Sequence, residues 1–150
     1  MPFKIRTFRG SDLDQVMAIE NDSFPDPYNR LTFRLLRRWV KEGFIVADDG
    51  GIVGYAVAET QGARGHIISL AVSPKSRRSG IGAALLQELI RRMGPKVQSL
   101  FLEVRAGNEA AIRMYEKFSF RKTGEIRSPY YPDGEDAIIM ARVLAQPEAS

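Results

Sequence analysis

Apolar and polar residues change their spacing several times along this chain, and each change marks an element. Phe3, Ile5 and Thr7 alternate with Lys4 and Arg6, a period of two that predicts a first strand. Leu13, Val16 and Met17 then fall three and four apart behind Ser11, with Asp12 and Asp14 in the first turn, which predicts a helix capped by Ser11. Pro25 and Pro27 make residues 21–30 a constrained loop. Helical spacing returns with Leu31, Leu35, Trp39 and Val40 and stops at Gly43. Apolar runs at 44–47 and 52–59 flank Asp48-Asp-Gly-Gly51, a hairpin signal, and a second turn at 60–65 leads into a strand over 66–72.

The second half continues in the same way. Leu85, Leu86, Leu89, Ile90 and Met93 share a helical face that ends at Gly94-Pro95, and residues 100–104 read as a strand. Asn108 can cap a short helix carrying Ala111, Ile112, Tyr115 and Phe118 on one face. Residues 120–126 and 137–141 read as a closing strand pair around the turn at Pro132-Asp-Gly134, and 143–150 as a polar, poorly ordered tail. The order βααβββαβαββ predicts an α+β, three-layer α/β/α design with helices flanking a mixed sheet, in a single domain over 1–150.

Composition narrows the chemistry. With no cysteine among 150 residues, disulfides, thiolate metal sites and a cysteine nucleophile are excluded, and a single histidine excludes a histidine-rich metal site, so no metal is expected. No apolar run approaches 18 residues and the N-terminus carries no signal peptide, so the expectation is a cytoplasmic protein without a membrane partner. The net charge of +4 suits an anionic cofactor, nucleic acid or a ribosomal surface and selects none of them.

The most informative stretch runs from Leu70-Ala-Val72, at the end of a strand, to Arg77-Arg-Ser-Gly-Ile-Gly-Ala83, at the start of a helix. A helix N-terminus offers unpaired N–H groups and positive potential, glycine admits close backbone approach, and Arg77 and Arg78 add charge, which together suit a pyrophosphate. Two glycines easing a strand-to-helix turn beside solvated arginines would give the same letters. Neither GxxxxGK[ST] nor GxGxxG is present. Instead Arg77-x-x-Gly80-x-Gly82 resembles the acetyl-CoA motif (Q/R)xxGx(G/A) of the GNAT acetyltransferases. Further blocks match the RimI-type protein N-terminal acetyltransferases of bacteria and archaea: Ser23-Phe-Pro-x-Pro-Tyr28, His66-Ile-x-Ser-Leu-Ala-Val72, Leu102-Glu-Val-Arg-x-x-Asn108, Ala111-Ile-x-x-Tyr-Glu-Lys117 and Tyr130-Tyr-x-x-Gly-Glu-Asp-Ala137. The resemblance runs from residue 3 to about residue 142.

The resemblance implies acetyl transfer from acetyl-CoA to protein α-amino groups, with protein or peptide N-termini, ribosomal proteins among them, as partners. It assigns Leu70, Ala71, Val72, Arg77, Arg78, Ser79, Gly80, Ile81, Gly82, Ala83, Asn108, Ala111 and Tyr115 to the coenzyme. Most of those contacts are backbone ones, so the residue types at Ser79 and Ile81 are expected to matter little. Glu103, between Leu102 and Val104, should face away from the core; it is either a rim acid paired with an arginine or the family's general base. His66, the only imidazole, is either a strand-start histidine or a second catalytic group that orders the deprotonating water. Tyr115 is a core aromatic or the phenol that protonates the departing thiolate, and Asn108 caps its helix, bonds the coenzyme, or does both.

Phe24, Pro25, Tyr28, Tyr130 and Tyr131 are either satellite core under long loops or an aromatic clamp on the peptide N-terminus. The resemblance favours the clamp, and a slot roofed by two tyrosines argues against lysine as acceptor. Glu20 reads as a helix-surface acid. Bacterial RimI enzymes often carry tryptophan where Tyr28 stands, which leaves a broader peptide specificity open. The remaining alternatives are a GNAT enzyme for another amine, a non-catalytic acyl-CoA sensor, or nucleic-acid binding by the basic face of Arg34, Arg37, Arg38 and Lys41. A sensor should lack Glu103 or Tyr115, and this chain has both.

Overall fold

The computed structural model describes residues 3–128 and 130–144. Its elements run β1 (Lys4–Thr7), α1 (Leu13–Ser23), α2 (Arg30–Val40), β2 (Phe44–Asp48), β3 (Ile52–Gln61), β4 (Arg64–Val72), α3 (Ile81–Met93), β5 (Ser99–Arg105), α4 (Glu109–Lys117), β6 (Arg121–Arg127) and β7 (Ala137–Val143). The sheet has the strand order β1-β2-β3-β4-β5-β7-β6. β4 pairs with β5 in parallel, while β1–β2, β2–β3, β5–β7 and β6–β7 are antiparallel. This is the mixed sheet flanked by helices that the spacing predicts. The chain forms two compact units, the first holding residues up to Glu59 with Ile68–Gly94, the second Thr60–Ile67 with residues from Pro95 onward.

In the first unit the core is aromatic. Phe8 stacks on Phe44 with ring centroids 4.0 Å apart, and Phe33 meets Tyr55 edge-on at 5.9 Å. Arg6 holds the entry to α1, giving two hydrogen bonds to Asp12 at 2.8 and 2.9 Å and one to Asp48 at 3.1 Å. Asp12 also accepts from the Arg9 N–H at 2.8 Å. The buried carboxylate therefore closes a short 3₁₀ turn over Gly10–Asp12, Ser11 lies inside that turn, and α1 begins one residue after Asp12 rather than from a Ser11 cap.

α2 differs from its sequence pattern in a more consequential way. Asn29 caps it by accepting from the Thr32 N–H at 2.9 Å. Its packed face is Phe33 with Leu36 and Val40, spaced three and four apart; Phe33 meets Phe44 and Tyr55, and Leu36 and Val40 pack against the same cluster. Leu31, Leu35 and Trp39 form a second apolar stripe that faces solvent, with Trp39 77% exposed. Two stripes compete on one helix, and the stripe containing Phe33 takes the aromatic core.

α3 is seated by a close approach. A Cβ on Gly54 of β3 would stand 3.1 Å from Ile81 Cγ2, 3.2 Å from the Ala71 carbonyl oxygen and 3.2 Å from Leu85 Cδ1. Glycine there spares the first turn of α3 and the Ala71 carbonyl contacts tighter than ordinary van der Waals ones.

In the second unit, Leu100, Leu102 and Val104 of β5 are buried, and Glu103 pairs in register with Ile139 of β7. β6 is exposed along its whole length. β7 extends to Val143, and the Leu144 N–H donates to Gln98 O at 2.9 Å. The expected tail therefore starts later than residue 143, and its remainder, 145–150, lies outside the described residues.

Gly54→Val places branched atoms against Ile81 and the Ala71 carbonyl. It is expected to destabilise the fold by roughly 1–3 kcal/mol, lowering Tm by about 2–4 °C per kcal/mol in a circular-dichroism melt.

Candidate active site

In the first unit β4 delivers the chain to a compact loop. After Val72 a 3₁₀ turn spans Pro74–Ser76, the Arg77 Nε donates to the Val72 carbonyl at 3.1 Å, and the Ser79 hydroxyl donates to the Ser76 carbonyl. Arg78 at φ +67° and Gly80 at φ +82° both occupy the left-handed region, which for arginine is strained. The first i→i−4 bond of α3 is Ala84 N–H to Gly80 O at 3.0 Å, so the helix itself leaves the N–H groups of Ile81, Gly82 and Ala83 for an outside acceptor. Nothing lies within 4 Å of a Cβ on Gly80, so space is open beside that residue. Three donors that the helix ladder does not use, a helix of 13 residues behind them and two arginines make a cradle whose chemistry fits a pyrophosphate.

Only Gly80 of the two glycines has positive φ. The side chains of Leu70, Ala71 and Ile81 are buried, leaving these residues their backbone for binding. The expectation that the type of residue 81 matters little is overturned. Ile81 is 1% exposed and would meet any Cβ at Gly54, so its side chain fixes where the cradle stands.

The loop after α1 also lies in this unit. Phe24 is partly buried against the core cluster, Pro25 is exposed, and Tyr28 is 38% exposed with its ring edge-on to Phe33 at 6.0 Å. Phe24 thus behaves as satellite core, whereas Tyr28 is more than a third exposed. Glu20 corrects the expectation of a surface acid: it is 2% exposed. Its carboxyl receives the Tyr55 hydroxyl, the Tyr28 N–H at 2.9 Å and the Ser69 hydroxyl at 3.4 Å. Burial pushes this carboxyl above the usual carboxylate range, against the opposing pull of those three donors. Helical spacing gave no sign of this, because the partners come from β3, β4 and the loop.

In the second unit β4 and β5 pair His66 with Phe101 in parallel register, and the imidazole stacks on the Phe101 ring at 4.5 Å with 3° between planes. His66 Nε2 lies 2.7 Å from Glu103 Oε2. Glu103 Oε1 receives the Tyr130 hydroxyl at 3.3 Å, and the Arg127 guanidinium stands 3.9 Å away. Burial works to raise the Glu103 carboxyl, but the His66 hydrogen bond and the charges of His66 and Arg127 outweigh it and hold the group below the usual range. An ionised carboxylate only accepts, so Nε2 carries the proton of this bond. The Tyr130 phenol is pushed up by burial and by the Glu103 charge beside it. The structure therefore brings His66, Glu103 and Tyr130 together, and the nearest partner of Glu103 is the imidazole rather than an arginine.

Arg105 had no role in the sequence reading. It bonds Asp133 and Glu135 at 2.8 Å each and lies over the Tyr131 ring at 4.2 Å, while Glu135 also accepts the Gly107 N–H at 2.8 Å. Tyr131 in turn meets Tyr130 edge-on at 4.9 Å. Arg105 and Glu135 lie in the Leu102–Asn108 and Tyr130–Ala137 stretches that carry the family resemblance, which was the available signal. Arg127 offered none.

Tyr115 of α4 is buried against Phe120, and burial pushes its phenol up to about 12. Asn108 Oδ1 accepts the Ala111 N–H at 3.1 Å, so the cap holds and both groups are engaged within the helix. Among the described residues no group of three or more His, Cys, Asp or Glu side chains is placed to hold a metal, and no helix is long and apolar enough to cross a membrane.

Comparison with known proteins gives a consistent picture. The family model described as "Acetyltransferase (GNAT) family" matches residues 13–120. An N-alpha-acetyltransferase of Sulfurisphaera tokodaii is 34% identical over 95% of this chain and 93% of its own. The [ribosomal protein bS18]-alanine N-acetyltransferase of Escherichia coli strain K12 is 36% identical over 91% of this chain and 95% of its own. The crystal structure of Ard1 from Thermoplasma volcanium superposes with a TM-score of 0.89 at 30% identity, covering 97% of this chain and all of that one.

Because Glu103 sits below its ordinary pKa in the fold, its contribution to stability is present above about pH 4.3 and is lost as pH falls through its lower folded value. Glu103→Gln should therefore be less stable than the parent near neutral pH, by about 1–3 kcal/mol. The gap should close in acid, as read from urea melts followed by circular dichroism between about pH 3 and 7.

Proposed function

The chain belongs to the acetyltransferase (GNAT) family, and from that premise we propose that it transfers acetyl from acetyl-CoA to the N-terminal α-amino group of proteins or peptides. The named activities of its relatives support the acceptor class. Within the site, the partly buried Glu103–His66 pair with Tyr130 on the same carboxylate is the observation that carries the reading. An ionised acid beside a proton-bearing imidazole supports a site in which an amine nitrogen loses a proton.

The cosubstrate is acetyl-CoA, and the α3 cradle fits its pyrophosphate through the N–H groups of Ile81, Gly82 and Ala83, with Arg77 and Arg78 alongside. An α-amine has a pKa near ~8, so most of it is ammonium at neutral pH. Direct proton transfer to an ordinary carboxylate would be uphill by roughly 5 kcal/mol, and Glu103 is held lower still. Glu103 therefore acts as the fixed negative charge that holds the ammonium and orients His66, and the proton leaves through water and the imidazole.

The neutral nitrogen attacks the thioester carbonyl carbon, the nitrogen gives its second proton to the same water path, and the C–S bond breaks with its electron pair on sulfur, which takes up a proton from solvent on release. Tyr115 donates its phenolic hydrogen bond to that sulfur. With its pKa near 12 against ~8.5 for a thiol, it stays a neutral donor and stabilises the thiolate. The chain has no cysteine to form an acetyl-enzyme, which favours direct attack in a ternary complex. Tyr130 and Tyr131, edge-on to each other, supply amphipathic surface suited to a peptide backbone, and Tyr28 does so in the first unit. Ribosomal-protein N-termini are one acceptor class to examine, given the relative that acts on bS18.

Purified protein with acetyl-CoA and peptides bearing free or blocked α-amines and internal lysines should acetylate free N-termini alone, as located by mass spectrometry. Glu103→Gln and Tyr115→Phe should each lower kcat by about 10²–10³-fold. Acetyl on lysine of blocked peptides, or no transfer to any peptide, overturns the reading. Gly80→Ala forces a Cβ into the left-handed region and should raise the KM for acetyl-CoA several-fold at little cost to the peptide KM.

A further inference from the structure

The Phe24–Tyr28 loop has little backbone with which to hold itself. Pro25 and Pro27 lack an N–H, which leaves only those of Phe24, Asp26 and Tyr28. Glu20 takes two of the three: its carbonyl accepts from Phe24 N–H at 3.0 Å, and its carboxyl accepts from Tyr28 N–H at 2.9 Å. The same carboxyl is fixed from the sheet side by the hydroxyls of Tyr55 on β3 and Ser69 on β4, themselves 3.1 Å apart. Tyr55 is fully buried and Ser69 is 7% exposed, so the anchor is tied to rigid strands rather than to another loop.

We propose that Glu20 is a positioning residue for the amine substrate, a buried acceptor that locks the Phe24–Tyr28 loop onto the sheet and so sets where Tyr28 meets the peptide. The inference rests on the N-terminal acetyltransferase reading for its kinetic half and on this unit's geometry alone for its structural half. A buried acceptor serving three donors is costly to leave half-satisfied, which is why a carboxyl raised by desolvation persists here in place of an apolar side chain. Glutamine has the same shape. Its oxygen can accept from Tyr28 N–H while the two hydroxyls turn to accept from its amide, so the anchor does not need the charge.

The test compares Glu20→Ala and Glu20→Gln in the full chain, with circular dichroism to confirm folding. In Glu20→Ala, hydrogen–deuterium exchange of the segment over residues 24–28 should accelerate by at least about tenfold. The KM for peptide should rise about tenfold with the KM for acetyl-CoA within about twofold. Glu20→Gln should restore both. Unchanged exchange in Glu20→Ala, equal increases in both KM values, or a glutamine variant as impaired as the alanine one would each overturn the proposal. Failure of the underlying reading is seen separately, as parent protein that acetylates no peptide α-amine. The exchange data then decide the anchor by themselves.

Discussion

Taking a carboxylate out of water costs several kcal/mol unless other donors replace its hydration, and two glutamates, one in each unit, show the two outcomes. In the first, Glu20 is surrounded by neutral donors, and desolvation wins, leaving a group raised above its ordinary range. In the second, Glu103 is met by an imidazole, with a guanidinium nearby, and the partners win, leaving a group that stays ionised. The same residue type thereby acquires two characters from its surroundings. Much of the local architecture serves these two sites: Tyr55 and Ser69 are buried polar residues whose hydroxyls point at Glu20, and the parallel register of β4 with β5 stacks His66 on Phe101 beside Glu103.

The phosphate cradle is governed by a different constraint, the geometry of helix starts. Its donors exist because the first i→i−4 bond of α3 closes at Ala84, and they are held in place because Gly54 lets Ile81 sink against β3. The strain at Arg78 and the left-handed turn at Gly80 complete a loop that side-chain bonds from Arg77 and Ser79 hold shut behind it. The donors left over there are backbone groups, and core packing fixes where they stand.

The element order and the strand–loop–helix of the cradle were legible in the sequence because periodicity and glycine placement are local signals. Glu103 was legible too, since Leu102 and Val104 on either side turn it away from the core. What escaped was set by distant contacts. The Leu31, Leu35 and Trp39 stripe has the spacing of a core face, yet Phe33 three residues from Leu36 fits the aromatic cluster and takes that place. Glu20 lies in a sequence context that a solvated acid would share, and only the fold brings β3, β4 and the loop to it. Ser11 looks like the helix cap, but Arg6 recruits Asp12 instead and moves the start of α1.

The outward turn of Trp39 has a consequence for anyone following this protein by spectroscopy. It is the only tryptophan in the chain, and it is already 77% exposed in the folded state. Its indole passes from water to water when the core melts, so emission excited selectively through tryptophan will stay red and nearly silent through unfolding. The aromatic core that does melt holds phenylalanines and Tyr55, whose signals are weak by comparison. That same blindness makes the indole a clean reporter for the surface of α2: a blue shift there would signal a change at that helix face, undistorted by the rest of the fold.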